Sequence, residues 1–381
     1  MYPHTRFTRT LLTLAGIVCL AALAGCGVTA PSPSPVSATT APTQAATSTP
    51  APTRPVATSG PTATPAATAT QTAVPGLITK DNAADLVEVR SIDASPSWIS
   101  GLSFSPVDHT FATFGLGRSV DIWDADTGKR VTHLGTQPDW GLGLAFSPDA
   151  TRLVSGDGGG DVVVWNVTKN QRLAGVVAPP ERVYDVEWSP DGDRFSVVGQ
   201  GSSRVDIFSA TGTKLQEIKT PGGWLWSTAW SKDYLAVSND SAQKVYVYDA
   251  KTYGTAAELD ASQPAGSLDF SPDGKALVGC LRTDGTIHVW DTSNWSEITS
   301  WEAHPTKGIA QGCIAGDFSR DGSVYFSGGD DGNLIAWDIA TGARLKTFEY
   351  GKMVWKASMS GDGKLLAVGL DDGEVKIIGL K

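Results

Sequence analysis

A short turn motif recurs along this chain with a period of about forty-two residues. Each copy is an aromatic residue followed by Ser-Pro-Asp-Gly or a close variant, and the copies begin at Phe104, Phe146, Trp188, Trp230, Phe270, Phe318 and, in degenerate form, Met359. A second, mostly aromatic column follows in phase at Trp123, Trp165, Phe208, Tyr248, Trp290, Trp337 and Ile378. Two columns that keep one spacing over nearly three hundred residues predict an array of stacked repeats.

The repeat over residues 270–291 shows what one unit contains. Ser271–Gly274 suits a type I turn, because proline presets φ at the second position and glycine suits the fourth. Lys275–Gly279 is then a short strand, and residues 286–290 alternate polar and apolar side chains, which is typical of a strand with one buried face. With one more strand on each side, every repeat holds four strands and no amphipathic helix. Such sheets must stack on their neighbours to share a core.

Four of the repeats end their third strand in Trp-Asp or Trp-Asn, at Val120–Asp124, Val162–Asn166, Ile287–Asp291 and Leu334–Asp338. Thr-Gly pairs follow at Thr127-Gly128, Thr211-Gly212 and Thr341-Gly342. With these motifs, residues 86–381 resemble the WD40-repeat β-propellers. The resemblance implies an all-β fold with seven blades, in which an N-terminal strand completes the last blade. We therefore expect residues 86–92 to pair beside residues 374–379. TolB-like propellers share the Ser-Pro-Asp-Gly turns but lack the Trp-Asp column, and so fit less well.

The resemblance also implies a structural chain of hydrogen bonds within a blade. Its members are a His before the first strand, a Ser or Thr on the second, an Asp in the next turn and the Trp of the third. In the sixth repeat these positions hold His304, Ser327, Asp331 and Trp337. No His matches in the first four repeats, so we expect those blades to depend more on packing.

Residues 1–25 have the pattern of a bacterial lipoprotein signal peptide. Arg6 and Arg9 form a basic start, and the apolar run over residues 11–23 is shorter than the roughly twenty residues of a membrane-spanning helix. Leu23–Cys26 matches the processing box that precedes a lipidated cysteine. We expect export, lipidation at Cys26 and anchoring on the extracytoplasmic face of the cell membrane or outer membrane. An uncleaved anchor or an ordinary secretory peptide is the alternative.

Residues 26–76 form a linker rich in Pro, Thr, Ala and Ser, with ten prolines after Cys26 and a single charged residue, Arg54. A segment of this composition has too little apolar surface to fold, so a disordered stalk is predicted between the anchor and the propeller at residues 77–381.

Charge and motifs exclude several functions. The formal net charge is −10, and the segment before residue 77 contributes three positive charges and no acids, so the rest of the chain is near −13. A nucleic-acid partner is not expected, because it requires a basic surface. The chain has no zinc-protease, nucleophile-elbow or phosphate-loop motif, and no cofactor or metal is predicted.

Cys280 and Cys313 are an even pair of cysteines in a domain that is expected to be exported. A disulfide between them and two buried thiols both stay open.

Aromatic residues also gather at the start of the first strands of five repeats: Trp98, Trp140, Tyr184, Trp224, Trp226 and Trp355. The resemblance places first strands around the central channel of the ring. Because clustered Trp and Tyr side chains are typical of binding hot spots, these residues form a candidate partner-binding rim. Packing between blades is the alternative explanation. Trp98, Trp140 and Trp224 are the stronger surface candidates.

These observations predict a membrane-tethered, extracytoplasmic, monomeric propeller that binds or scaffolds a protein partner and is not an enzyme. The alternative is an envelope enzyme, or a sensor of a small ligand or glycan, with its site at the channel mouth. Propellers do host enzymes, so the fold alone does not decide. The lack of convergent His, Arg and acidic residues at equivalent rim positions argues against catalysis.

Overall fold

The computed structural model describes residues 76–177, 181–201, 203–305 and 312–381. The predicted signal peptide, Cys26 and the linker up to residue 75 lie outside the described residues. Within them, the only helix is one 3-10 turn at Ala83–Asp85, and 28 strands make up the rest of the regular structure. None of the described residues belongs to a helix that is long and apolar enough to cross a membrane.

The strands follow one another along the chain in groups of four. The first is β1 (Val87–Asp93), and blade 1 contains β2 (Ile99–Phe104), β3 (Thr110–Gly115), β4 (Ser119–Asp124) and β5 (Arg130–Thr136). Blade 2 contains β6 (Gly141–Phe146), β7 (Arg152–Asp157), β8 (Asp161–Asn166) and β9 (Gln171–Val177). Blade 3 contains β10 (Arg182–Trp188), β11 (Arg194–Gln200), β12 (Arg204–Ser209) and β13 (Lys214–Lys219). Blade 4 contains β14 (Leu225–Trp230), β15 (Tyr234–Asn239), β16 (Lys244–Asp249) and β17 (Thr255–Asp260).

The remaining blades have the same plan. Blade 5 contains β18 (Ala265–Phe270), β19 (Ala276–Leu281), β20 (Thr286–Asp291) and β21 (Glu297–Glu302). Blade 6 contains β22 (Cys313–Phe318), β23 (Val324–Gly329), β24 (Asn333–Asp338) and β25 (Ala343–Glu349). Blade 7 contains β26 (Val354–Met359), β27 (Leu365–Leu370) and β28 (Glu374–Gly379), with β1 as its fourth strand.

Each blade is one antiparallel sheet. The strands pair in chain order in blades 1 to 6, and β1 pairs with β28 at the edge of blade 7. The seven sheets form a ring. The first strand of each blade contacts the first strand of the next, from β2 to β6 and onward to β26, which contacts β2 again. The seven first strands therefore surround a central channel. The all-β class and the seven-bladed propeller predicted from the sequence are confirmed.

Ring closure follows the predicted pairing. Strand β1 runs antiparallel to β28, with Val87 opposite Gly379 and Asp93 opposite Glu374. The ladder contains one irregularity between Glu88 and Arg90. The guanidinium of Arg90 donates to the carbonyl oxygen of Ala125 at 3.1 Å, which ties the closing strand to blade 1. The expected N-terminal closure is confirmed.

The Ser-Pro-Asp-Gly motif is a self-contained turn. In blade 5 the Ser271 hydroxyl donates to Asp273 at 2.7 Å and accepts the backbone N–H of Ala276 at 2.9 Å. Gly274 adopts φ +71°, in the left-handed region where a side chain is strained. The same Ser–Asp bond occurs in blades 2, 3, 6 and 7. The motif repeats because it makes the connection between first and second strands.

The hydrophobic core lies between blades. One cluster combines Ala112, Phe114, Val120 and Ile122 of blade 1 with Leu144, Phe146, Leu153, Val163 and Trp165 of blade 2. A comparable cluster joins blades 5 and 6, and it contains Cys280 and Cys313, which form a disulfide with Cα atoms 5.2 Å apart. Stability is therefore distributed over seven similar interfaces, as expected for repeats that share their core.

A histidine bridge reinforces the contact between blades 1 and 7. His109 Nδ1 lies 2.9 Å from Oδ2 of Asp126, and its Nε2 lies 3.1 Å from Oδ2 of Asp362 in blade 7. Partial burial opposes the charged imidazole, but hydrogen bonds to the two carboxylates outweigh it and raise the pKa of His109. Partial burial also disfavours the Asp362 carboxylate, yet hydrogen bonds from Ser360, His109 and Lys364 lower its pKa to about 2.

This bridge predicts a pH-dependent stability. Because the pKa of His109 is raised on folding, its contribution is complete below the unfolded pKa of about 6.5 and is lost as the pH rises through the folded value. The Asp362 contribution has the opposite sign and is lost as the pH falls from about 4 towards 2. Asp108, Asp124 and Lys364 also face the bridge.

We expect His109→Gln to lower the free energy of unfolding by about 1 kcal/mol or less, since the bridge is partly exposed. The loss should be larger at pH 5.5 than at pH 8.5, measured by urea unfolding at both values. An equal loss at the two values would contradict the assignment. Asp362→Asn is the internal control. It removes one carboxylate partner of His109, so it should reduce the pH dependence of the free energy of unfolding in the same way.

Candidate functional site

The six candidate rim aromatics lie at or just before the first strands of blades 1, 2, 3, 4 and 7. The structure gathers them into two groups. In the first group, the Trp98 ring centroid lies 6.0 Å from that of Trp140 and 5.8 Å from that of Trp355. All three side chains are half-buried. We call these residues the Trp98 group.

The second group lies on blades 3 and 4. Tyr184 and Trp226 are stacked almost in parallel, with ring centroids 4.2 Å apart. Trp224 stands edge-on to both rings, at 6.4 Å from Tyr184 and 6.2 Å from Trp226. Trp224 is 41% exposed, whereas the other two are half-buried. We call these residues the Trp226 group.

Two arginines that the sequence did not single out cover aromatic faces at the rim. The Arg182 guanidinium carbon lies 5.0 Å from the Trp140 ring centroid, and that of Arg282 lies 3.8 Å from the Trp226 centroid. Because Tyr184 already occupies one face of Trp226, Arg282 must lie against the opposite face. Burial lowers the pKa of Arg282 to about 10, with partial compensation from Tyr184 and Asp330, so its guanidinium stays charged at neutral pH.

A cavity of about 190 Å³ opens between the two groups at the mouth of the channel. We call it the mouth cavity. Its aromatic walls are Trp140, Tyr184, Trp226 and Trp355. Its cationic lining comes from Arg182, Arg282 and Lys356. Trp98 and Trp224 are not part of its lining and lie beside it, so the predicted rim divides into cavity walls and a surrounding surface.

A second cavity of about 390 Å³ continues down the channel, and its lining is acidic. Asp185, Glu187, Asp269 and Asp317 belong to it, and Lys356 is shared with the mouth cavity. Burial, and then repulsion from neighbouring carboxylates, raises the pKa of Glu187 well above its ordinary value. The same two causes raise the pKa of Asp269 to about 7.

Two of these acids act as ties between neighbouring blades. Oδ2 of Asp185 accepts the Ser227 hydroxyl and the Thr228 backbone N–H, both at 3.1 Å, which joins β10 to β14. Asp317 accepts the backbone N–H of Met359 at 2.7 Å, which joins β22 to β26. Buried carboxylates that accept such bonds support the ring. Asp185 and Asp317 therefore have a structural role in the ring.

The predicted polar chain of blade 6 is assembled around a buried serine. His304 Nδ1 lies 2.9 Å from Asp331 Oδ1, its Nε2 lies 2.8 Å from Ser327 Oγ, and Trp337 Nε1 donates to the same oxygen at 2.8 Å. This Asp-His-Ser order resembles that of a hydrolase triad. However, His304 and Ser327 are fully buried, so no substrate reaches the serine. The arrangement serves to satisfy polar groups inside the blade.

Similar bonds occur where no histidine is present. In blade 2, Trp165 Nε1 donates to Ser155 Oγ at 2.8 Å, and Ser155 donates to Gln137. In blade 1, Trp123 Nε1 donates to Thr113 at 2.9 Å. The expectation that the early blades rely on packing was therefore incomplete. A Ser or Thr lies ten residues before Trp123, Trp165 and Trp337, and this spacing was the available sequence signal. No sequence signal pointed to the role of Gln137.

Within the described ranges, no group of three or more His, Cys, Asp or Glu side chains is arranged to hold an ion.

Comparison with known proteins agrees with the fold. Residues 132–166, 257–291 and 295–338 match the family described as "WD domain, G-beta repeat". Protein groucho of Drosophila melanogaster is 33% identical over 123 residues, a match that covers 32% of this chain and 16% of that protein. WD40 propellers generally act as scaffolds for protein interaction. These matches show WD40 repeats in this chain, and the seven four-stranded blades show that it folds as a seven-bladed β-propeller.

Proposed function

We propose that the propeller binds a protein partner through the rim aromatics, and that it does so as a monomeric, non-enzymatic module held at the membrane surface. The observation that carries this proposal is the concentration of aromatic side chains on one face of the ring. Trp224 is 41% exposed, and the five others are half-buried around the channel mouth. Tryptophan and tyrosine are enriched among the few residues that dominate the binding energy of protein interfaces.

The hydrogen-bonding state of these side chains supports binding rather than packing alone. The indole nitrogens of Trp98, Trp226 and Trp355 are buried donors without an acceptor. Buried donors in a finished core are almost always paired, and an unpaired one costs about 1–3 kcal/mol. A partner that supplies acceptors at the rim removes this cost.

Location is the second part of the proposal. It is supported by the lipoprotein pattern over residues 1–25, by Cys26 and by the Pro- and Thr-rich linker. Two acyl chains on such a cysteine give stable anchoring. Cys26→Ser should abolish incorporation of labelled palmitate and release the protein from the membrane fraction. A variant that stays in that fraction without label would overturn the anchor.

Partner binding is tested by photo-crosslinking in intact cells. A photoreactive amino acid is placed at Trp224, and matched controls carry it at Leu215 and Ile298, which are exposed apolar positions on the outer strands β13 and β21. We expect one defined crosslinked species from Trp224 that disappears in a Trp98→Ala background with an unchanged melting temperature. The same species from all three positions, or lost binding with a lowered melting temperature, would favour the packing explanation.

A sensor of a small ligand is the second candidate, because the mouth cavity is large enough for a compact molecule. That function predicts binding of a free compound with no crosslinked protein at the rim. The crosslinking experiment therefore separates the two.

A further inference from the structure

We infer that the mouth cavity is a carboxylate-binding site that receives an acidic side chain of the partner protein. This inference rests on the proposed protein-binding function and adds the chemistry of the partner. It depends on the cations, the unpaired donors and the layering of charge along the channel.

Three cationic side chains converge on one small space although the propeller as a whole is strongly acidic. Arg182 comes from β10 in blade 3, Arg282 follows β19 in blade 5, and Lys356 belongs to β26 in blade 7. The nearest acid to Lys356 is Asp185, whose Oδ1 lies 3.8 Å from the ammonium nitrogen. Convergence from three blades shows that the ring builds this cationic site. A run of basic residues in the sequence does not explain it.

The two arginines are held in place before any ligand arrives. The Arg282 guanidinium packs against a face of Trp226, with its carbon 3.8 Å from the ring centroid, and Arg182 lies over Trp140. Gly266 leaves room for Arg282, because a Cβ at this position would come within 2.9 Å of the Arg282 side chain. A planar guanidinium with fixed orientation matches a carboxylate in two-point geometry, and less side-chain entropy is lost on binding.

The unsatisfied polar atoms around the cavity are all donors. Arg182 Nε, Trp226 Nε1 and Trp355 Nε1 are buried and have no acceptor. Neither an indole nor a guanidinium accepts a hydrogen bond. An ionised carboxylate is the complement of this set, because it only accepts and offers about four lone-pair directions. A cationic ligand would meet three positive charges, and it would find faces of Trp226 and Trp140 already covered by arginine.

The layer beneath limits how much negative charge the site accepts. Asp185, whose Oδ1 lies 3.8 Å from Lys356, lines the deeper cavity and would repel an anion that entered it. A single carboxylate at the mouth avoids this repulsion, whereas a nucleic acid or another extended polyanion does not. The volume of about 190 Å³ also suits one side chain rather than a helix. Around the site, Trp98 and Trp224 provide apolar surface for the flanking residues of a peptide, which is the usual anatomy of an interface.

The test uses the full-length protein in detergent and three probes: a Gln-Gln-Glu-Gln-Gln peptide with a single glutamate, the matching penta-glutamine peptide, both blocked at their two ends, and free glutarate. Binding is followed by the NMR signals of the tryptophan indole N–H groups. We expect the glutamate peptide to shift the Trp226 and Trp355 signals and to bind at least tenfold more tightly than the other two probes. Its affinity should fall as salt is raised, since the contact is between charges.

Variants locate the site. Arg182→Gln and Arg282→Gln should each weaken binding of the glutamate peptide at least tenfold. Arg344→Gln is the matched control, because Arg344 also lies over a tryptophan, Trp337, at 5.3 Å but on the outer strand β25. It should leave binding unchanged. If a glutamine variant fails to fold, Arg282→Lys should still bind the glutamate peptide more weakly than the unchanged protein, because lysine lacks the planar two-point geometry of arginine. The salt titration of the unchanged protein then shows whether the contact is between charges.

The outcomes separate this inference from the proposed function. Equal binding of the glutamate and glutamine peptides, no binding of either, or equal losses in Arg344→Gln and Arg282→Gln would overturn the carboxylate site. Glutarate binding as tightly as the peptide would overturn the peptide assignment and favour a small carboxylate. Crosslinking at Trp224 that persists in the Arg182→Gln and Arg282→Gln variants would reject the site while leaving the rim function intact. Absence of any rim crosslink would reject the proposed function instead.

Discussion

Deletion of residues 77–95 is expected to abolish the cooperative unfolding transition of the propeller. This segment carries β1, the fourth strand of blade 7, and its loss leaves the β28 edge unpaired. It also removes Ile78, Leu86 and Ile92 from the core, where the first two are fully buried and Ile92 is 4% exposed. Burial of each such side chain contributes about 1.5–3 kcal/mol, so the total is comparable with the 5–15 kcal/mol that holds a typical domain folded.

The measurement is thermal and urea unfolding followed by tryptophan fluorescence, with size-exclusion chromatography to detect aggregation through the open edge. Deletion of residues 30–60 within the linker is the control and should leave the transition unchanged, because the composition of that segment predicts no packed structure. A deletion of β1 that melts like the intact chain would show that the ring closes without it.

Replacement of Cys280 and Cys313 together by alanine is expected to lower the free energy of unfolding by about 3 kcal/mol relative to the oxidised protein. The disulfide links β19 of blade 5 to β22 of blade 6 across 33 residues of sequence, so its loss frees a long loop in the unfolded chain. Reduction of the unaltered protein should produce a similar loss, because it removes the same constraint.

Alkylation of unfolded, unreduced protein followed by peptide mapping provides the direct check. The peptides that contain Cys280 and Cys313 should be unmodified until a reductant is added. Cys280→Ala alone is the matched control for packing, since it breaks the bond but keeps one sulfur in the cluster. Alkylation of both cysteines without reductant would mean that the protein holds two buried thiols.

The blades were predictable because their information is local. A Ser-Pro-Asp-Gly turn makes its own hydrogen bonds within six residues, as Ser271, Asp273 and Ala276 show. The same short pattern, repeated seven times, therefore states where first strands end and second strands begin. Pairing of β1 with β28 was also predictable, because the last repeat contains only three strands and the strand before the first repeat has no partner of its own.

The polar chain of blade 6 and its relative in blade 2 mark a limit of pattern matching. His304, Ser327, Asp331 and Trp337 occupy the expected positions and are bonded as expected of that pattern. In blade 2 the buried serine, Ser155, bonds to the amide of Gln137 instead of to a histidine. Nothing in the motif specifies an amide at that position. Hydrogen-bonding capacity, rather than residue identity, is what the buried tryptophan requires.

The sequence by itself determined the repeat, the strand order, the closing strand and the aromatic column, because each depends on residues that are neighbours within one blade or on a missing strand. Only the tertiary structure decided what the rim is. Arg182, Arg282 and Lys356 are separated by 174 residues from first to last, and ring closure alone brings them over the same channel. The division of the aromatics into two groups, and the placing of an acidic layer beneath a cationic one, depend on contacts between first strands of different blades. No periodic pattern encodes those contacts, since the residues that make them are the ones that differ from repeat to repeat.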